Sequence, residues 1–117
     1  MAIWSIESIS ETPEVILDSW RVFDVPLDGP DHPWTRHFVG DARGERQGQV
    51  SSAVESFDVT TRCGVTRSGR IYQLAGRPGL GSDAQYVWNR WKRIAGVTEQ
   101  RDVTQEVFAQ MPAGKPN

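Results

Sequence analysis

The segment that most constrains the fold is a predicted β-hairpin over residues 62–74, with the sequence RCGVTRSGRIYQL. Two short runs of β-prone residues flank Ser68-Gly69, and Gly69 can adopt the positive φ that a tight two-residue turn requires. A turn at that point would place Arg67 opposite Arg70. Because like charges directly opposite each other are mildly unfavourable, we expect this tip to face solvent or an anionic partner.

Further strands are predicted from β-branched and aromatic runs on the N-terminal side of the hairpin. The run WRVFDV at 20–25 is the clearest, and Pro26 ends it because proline cannot donate to a sheet ladder. The other predicted strands are Val15–Leu17, Trp34–Val39 and Gln49–Phe57. Loops are predicted at 28–33 and 41–48 from their glycine, proline and polar content.

An amphipathic α-helix is predicted over residues 82–95. Ser82 followed by Gln85 is a capping-box pattern at its start, and Gly96 is suited to the position after its end. The apolar stripe of this helix consists of Ala84, Val87, Trp88, Trp91, Ile94 and Ala95. A shorter helix is predicted after Asp102.

Together these segments predict an α+β fold with an antiparallel meander of about four or five strands. The 82–95 helix would pack on one face of the sheet, and the short helix would follow at the C-terminus. A chain of 117 residues fits one domain, which we place at 1–112, with 113–117 as a disordered tail. Residues 3–9 suit either an edge strand or a helical turn.

Composition predicts a protein of the cytoplasm. No apolar run approaches the roughly 20 residues that span a bilayer, and the N-terminal residues do not have the pattern of a secretory signal. The single cysteine, Cys63, excludes an internal disulfide and is compatible with a reducing compartment.

Charge is unevenly distributed along the chain. Residues 1–58 carry four arginines and eleven carboxylates, whereas 59–93 carry seven basic residues against Asp83 alone. The basic part could form one basic face. Alternatively, the two parts could pair as strands and neutralise each other. Eleven of the thirteen basic residues are arginines, which favours planar, bidentate contacts.

No cofactor or metal site is predicted. His32, His37 and Cys63 lack the spacing of a metal-binding motif. Asp28, Asp31 and His32 could surround a cation in their loop, but these residue types in a loop rich in proline and glycine are usually there for turn chemistry.

A small enzyme is the least favoured class of function. Cys63 could act as a nucleophile with His37 and either Asp24 or Asp58. However, no helix N-terminus is predicted beside Cys63 to lower its pKa, and a buried strand cysteine is the favoured alternative. Carboxylates are plentiful in 1–58, but no pattern singles out a catalytic pair.

The basic segment 62–93 makes nucleic-acid binding a candidate function. The candidate contacts are Arg62, Arg67, Arg70 and Arg77 for phosphates, with Tyr72 as a stacking ring. Against this function, the overall charge is acidic and no nucleic-acid-binding motif is present. The favoured alternative is a solvated hairpin tip with Tyr72 in the core. Arg77 also precedes a helix N-terminus where a phosphate could bind, although a structural loop is favoured there.

Protein binding is the other candidate function. Trp34 follows His32-Pro33 at the edge of a loop, and exposed Trp and Arg are enriched among interface anchors. A patch of Trp34, Arg36 and His32 is therefore a candidate protein-binding site. The alternative is a tryptophan that covers the end of the sheet.

Three stretches of the chain, WRVFDVPL, WTRHFVG and GVTRSGRIYQL, resemble small uncharacterised single-domain proteins of proteobacterial mobile elements and phages. The resemblance covers about residues 18–97 and carries over no catalytic residue. Small proteins carried by such elements often block host defence complexes by occupying a surface, as anti-CRISPR and anti-restriction proteins do, and the resemblance implies this kind of role.

The leading hypothesis is a non-enzymatic binding protein that occludes a partner surface, in the manner of a phage or mobile-element inhibitor of a host defence complex. The partner would be another protein or a ribonucleoprotein complex, no membrane would be involved, and a homodimer is compatible with the sequence. The predicted anchors are Trp34, Arg36, Arg67, Arg70 and Arg77.

Overall fold

The computed structural model describes residues 13–45 and 47–112, in which seven strands form one sheet and two helices pack against it. The predictions for 3–9 and 113–117 lie outside these described residues. The elements in chain order are β1 (Val15–Val25), β2 (Thr35–Ala42), β3 (Gln47–Val50), β4 (Val54–Asp58), β5 (Cys63–Thr66), β6 (Ile71–Pro78), α1 (Ser82–Ala95), β7 (Arg101–Asp102) and α2 (Thr104–Gln110).

The sheet is mixed, with the strand order β3-β2-β1-β6-β5-β4, and β7 pairs with the C-terminal half of β1. All neighbouring pairs are antiparallel except β1 and β6, which run parallel at the centre. The predicted α+β class is confirmed, but the predicted antiparallel meander of four or five strands is wrong. The chain crosses from β3 at one edge to β4 at the other, so β6 arrives beside β1 in the same direction.

The crossing from β3 to β4 uses only residues 51–53, which forces the sheet to curl. Five strand spacings in a flat sheet would separate the two edges by roughly 24 Å, whereas the chain from Val50 to Val54 can span at most about 15 Å. The edges therefore approach each other. Across this closure the Phe38 ring on β2 meets the Phe57 ring on β4, with 5.6 Å between the two ring centroids.

A bulge at Ser19 bends β1 and changes which side chains face the inside of the curl. Ser19 has a φ of 53°, and the pairing register of β1 shifts at this point with both neighbouring strands. The extra residue lets Leu17 and Trp20 point to the same side despite being three residues apart. Trp20 is thereby fully buried, and its Nε1–H donates to the Ala75 carbonyl at 3.0 Å.

Two apolar clusters stabilise opposite faces of the sheet. The cluster inside the curl is completed by α2 and consists of Val15, Leu17, Trp20, Val22, Phe38, Ala42, Tyr72, Leu74, Val103, Val107 and Met111. The other cluster lies under α1, where the Trp88 ring stacks between Phe23 at 4.8 Å and Trp91 at 5.2 Å, measured between ring centroids. Stacked aromatic rings contribute packing energy beyond that of the apolar area they bury.

The predicted bounds of α1, 82–95, are confirmed, but its predicted N-cap and part of its predicted apolar stripe are wrong. Gly81 is the N-cap, no side chain caps the helix, and Ser82 lies already inside it. At the other end Gly96 has a φ of 75°, and the amides of Gly96 and Val97 close the last turn as a glycine cap. Ile94, assigned to the apolar stripe, is 74% exposed. The short helix predicted after Asp102 is confirmed as α2.

A close approach between β3 and α1 depends on Gly48. A β-carbon at Gly48 would lie 2.6 Å from Ala84 Cα and 2.7 Å from Ala84 N. These are backbone atoms, so the helix itself would have to move away from the strand.

Gly48→Ala is therefore expected to destabilise the protein by about 1–3 kcal/mol through overpacking. Urea unfolding followed by tryptophan fluorescence measures this loss. Gln47→Ala on the same strand is the matched control, because Gln47 is exposed. Its free energy of unfolding should stay within about 0.5 kcal/mol of the parent value. Equal stability of the two variants would contradict the close approach.

Candidate protein-binding surface

The β5–β6 hairpin has a three-residue loop, Arg67-Ser68-Gly69, and the predicted two-residue turn is wrong. The Gly69 N–H donates to the Thr66 carbonyl at 2.7 Å, and Gly69 has a φ of 91°. Thr66, whose amide bonds to the Arg70 carbonyl at 3.0 Å, therefore lies opposite Arg70 in place of Arg67. A turn followed by a left-handed glycine is the usual way to build a three-residue hairpin loop.

The hairpin tip, residues 67–70, is held against two other segments. The Arg67 N–H donates to the Ala53 carbonyl at 2.6 Å, and the Ser68 N–H donates to Ser52 Oγ at 3.1 Å. The Arg67 guanidinium lies 3.2 Å from the Asp28 carboxylate and 3.9 Å from that of Glu55. The tip is thus anchored on the 51–53 link and beside the loop between β1 and β2.

A second group of polar side chains crosses three strands next to that loop. Asp24 on β1 lies opposite both Arg36 on β2 and Arg101 on β7. Arg36 donates to both oxygens of Asp24, from Nε at 2.7 Å and from Nη2 at 3.0 Å. The Arg101 guanidinium carbon lies 4.5 Å from the centroid of the Trp34 ring. We call these four residues, Asp24, Trp34, Arg36 and Arg101, the Trp34 cluster.

The Trp34 cluster has a fixed geometry. Its two arginines are exposed and Trp34 is half-buried, whereas the Asp24 side chain is only 13% exposed. A bidentate guanidinium–carboxylate pair restrains both groups, and a guanidinium over an indole ring is held by the ring quadrupole. Neighbouring residues of a strand point to opposite faces of the sheet. The ring of Phe23 lies under α1, so Asp24 and the cluster lie on the face opposite α1.

Sequence reasoning found Trp34 and Arg36 but missed Arg101. Arg101 follows the loop after α1 and belongs to a two-residue strand, which leaves no periodic pattern in the sequence. Its position beside Trp34 depends on the pairing of β7 with β1, a contact between distant parts of the chain. His32 is exposed, and its amide bonds to the Gly29 carbonyl within the β1–β2 loop.

The remaining predicted contacts do not join the Trp34 cluster. Arg62 lies at the other end of the β5–β6 hairpin, where its Nη1 donates to the Gly76 carbonyl at 2.7 Å beside the exposed Arg77. Tyr72 is 4% exposed, with its ring packed against Phe38, so it offers no free face for stacking a base. The arginines predicted to contact nucleic acid are therefore divided between the two ends of this hairpin.

An open cleft of about 470 Å³ lies between the hairpin tip and the start of β1. Arg70 is exposed at this cleft, where Glu14 accepts a hydrogen bond from the Ile71 amide at 2.9 Å. Desolvation raises the pKa of Tyr72, against a smaller opposing effect of Arg70. The other residues lining the cleft are Val50, Ser52, Ser68 and Gly69.

The two residues considered for catalysis have structural roles. His37 is fully buried, its Nδ1 bonds to the Ser51 carbonyl at 2.8 Å, and its Nε2 lies 2.7 Å from Thr35 Oγ1. A carbonyl can only accept, so Nδ1 carries the proton and Nε2 accepts from the threonine hydroxyl. Cys63 is 1% exposed, and burial raises the pKa of its thiol, which disfavours the reactive thiolate.

Neither a metal site nor a membrane span emerges from the described residues. Across 13–45 and 47–112, His, Cys, Asp and Glu side chains form no group of three or more that could hold a metal ion. Asp28, considered as a cation ligand, instead pairs with Arg67. The helices of these ranges are too short or too polar to cross a membrane.

Comparison with known proteins gives no family assignment. No protein-family model matches the chain, and no curated protein or solved structure is significantly similar to it. The function is therefore argued from the residues themselves.

Arg36→Ala is expected to destabilise the protein by about 1–3 kcal/mol, because it leaves the mostly buried Asp24 carboxylate without its bidentate partner. The matched control is Arg43→Ala, which breaks a bidentate pair with Asp18 whose two side chains are 55% and 44% exposed. That exposed pair should contribute much less to stability, because solvent screens its charges. Denaturant unfolding of both variants tests the difference, and equal losses would contradict it.

Acid is expected to destabilise the fold through His37, because burial lowers the pKa of this imidazole from its ordinary 6.5. Below about pH 6.5 the unfolded chain binds a proton that the folded protein does not, so the free energy of unfolding falls until the lower, folded pKa is reached. The pKa of Asp18 is lowered by its hydrogen bond to Arg43. Its protonation therefore reduces stability only in stronger acid, below the ordinary carboxyl pKa of 3.8.

Unfolding measured between about pH 7.5 and pH 5.5 separates these effects. His37→Asn should lower stability at neutral pH but flatten the pH dependence in this window. His32→Asn, which makes the same substitution at an exposed position, is the matched control. A full slope in His37→Asn would show that another group is responsible.

Proposed function

We propose that this protein is a non-enzymatic binding protein that acts by covering a surface of a partner protein. The observation that carries the proposal is the Trp34 cluster, in which a half-buried indole ring and two exposed arginines are brought together by pairing across three strands. Trp and Arg are the residue types that most often dominate the energy of protein interfaces.

The rigidity of the cluster supports a binding role. Arg36 is fixed by Asp24, and Arg101 is fixed over Trp34. Side chains that are already ordered lose less conformational entropy when a partner binds, so more of the contact energy appears as affinity. Asp24, Arg36 and Arg101 lie on paired strands, which keep their geometry better than loops do.

The unpaired arginines favour a partner with acidic side chains. Within the described residues, neither Arg70 nor Arg101 has a carboxylate within 4.0 Å of its guanidinium nitrogens. Both are exposed, so each guanidinium can donate two hydrogen bonds to a carboxylate of another molecule. A complex of the bacterial defence machinery, protein or ribonucleoprotein, is the partner class that the resemblance to mobile-element proteins suggests.

Nucleic-acid binding through 62–93 is the competing function. It would have to rely on arginines alone, because Tyr72 is buried. Such binding would weaken steeply with salt as counterions are released from phosphates, which distinguishes it from docking on a protein.

Affinity capture of the tagged chain from bacterial host extract, with and without nuclease, tests the proposal. A specific protein should be retained after nuclease treatment, and it should be lost in the double variant Arg70→Glu/Arg101→Glu. The matched control is Arg77→Glu, an exposed arginine at the other end of the β5–β6 hairpin, which should retain the partner.

Purified components must then reproduce the interaction. We expect the captured protein to bind the parent chain directly and the double variant at least about tenfold more weakly, a difference of roughly 1.4 kcal/mol. Capture that disappears with nuclease would favour the nucleic-acid function. Retention of the same partner by the double variant would refute the assignment of Arg70 and of Arg101 in the Trp34 cluster as its contacts.

A further inference from the structure

The solvent face of α1 carries both of the large hydrophobic side chains that are exposed in the described part of the chain. Tyr86 is 63% exposed and Ile94 is 74% exposed. Arg90 and Arg93 are exposed beside them, and across 13–45 and 47–112 neither pairs with a carboxylate. Tyrosine and arginine are enriched where proteins contact one another.

The spacing along this face is that of a helix-pairing seam. Asp83, Tyr86, Arg90 and Arg93 follow one another at intervals of three, four and three residues. Residues with these intervals lie in one line along a helix and meet their counterparts when two helices pack lengthwise. Ile94 flanks this line at its C-terminal end.

The charges along the seam are complementary to a second copy in one orientation only. In a parallel pair, Asp83 would face Asp83 and Arg90 would face Arg90, and like charges repel. In an antiparallel pair, Asp83 faces Arg93 and Tyr86 faces Arg90, so each copy offers a carboxylate to a guanidinium and a ring to a cation. Each of these contacts occurs twice because the two copies are related by twofold symmetry.

We propose that the Asp83–Arg93 face of α1 is the contact surface of a homodimer, in which two copies pair their α1 helices antiparallel. A helix of 14 residues is only about 21 Å long, so the interface falls below the roughly 1,200 Å² that a stable dimer buries. The dimer is therefore weak and reversible, with a dissociation constant on the order of 100 µM. Because the Trp34 cluster lies on the opposite face of the sheet, pairing through α1 leaves that cluster free.

Sedimentation of the full chain over about 10 µM to 1 mM tests this inference at low and high salt. We expect a monomer–dimer equilibrium that weakens as salt is added. Asp83→Arg and Arg93→Asp should each weaken dimerisation at least about tenfold, and the double variant Asp83→Arg/Arg93→Asp should restore it. Tyr86→Lys should also abolish the dimer by placing two cations together, and it should fold normally because Tyr86 is exposed.

Glu99→Arg and Arg77→Asp are the matched controls, since they make the same charge changes at exposed positions outside α1. Both should dimerise like the parent, and circular dichroism should report the same helix content for every variant. A parent chain that stays monomeric at the highest concentration would overturn the proposal. It would also be overturned by a dimer that Tyr86→Lys leaves intact, or by a charge swap that fails to restore pairing.

Discussion

The shortness of the link at 51–53 is the constraint on which the rest of the structure depends. Because three residues join strands that lie at opposite edges of the sheet, the sheet must curl until those edges meet. The curl encloses the cluster around Trp20 and Phe38, and it brings the hairpin tip against Ser52 and Ala53. Arg67 can reach Asp28 only because this closure has taken place. The position of the hairpin tip therefore follows from one connection.

Local features of the fold were predictable from the sequence, whereas its long-range pairing was not. The bounds of α1 follow from apolar spacing and from Gly96, which are properties of neighbouring residues. The parallel pairing of β1 with β6 joins residues on the two sides of the entire β2–β5 region, and no local pattern records it. The bulge at Ser19 was equally hidden, since serine is an uncommon residue at positive φ. The two-residue turn was predicted because Ser68-Gly69 resembles such a loop, and one added residue changed which side chains face each other.

The candidate site was likewise predictable only where it depends on neighbouring residues in the sequence. Trp34 and Arg36 were recognisable because a tryptophan at a loop edge is unusual, but Arg101 depends on β7 reaching β1. The segregation of charge suggested one basic face. In the folded chain, Arg67 from the basic segment pairs with Asp28 and Glu55 from the acidic one. The exposed arginines that remain lie in separate places, which is more typical of several small contacts than of a continuous track for a polyanion.

The parallel pairing at the centre of the sheet also determines the order in which the chain can fold during synthesis. Glu14 meets Ile71 across a separation of 57 residues, and Val22 meets Thr104 across 82. Closing such long loops has an entropic cost before any contact forms, which makes folding slow relative to chains with mostly local contacts. On the ribosome, β1 has no partner on its β6 side until residues 71–78 have emerged. Its apolar residues are exposed during that interval, when the nascent chain is open to chaperones and to aggregation.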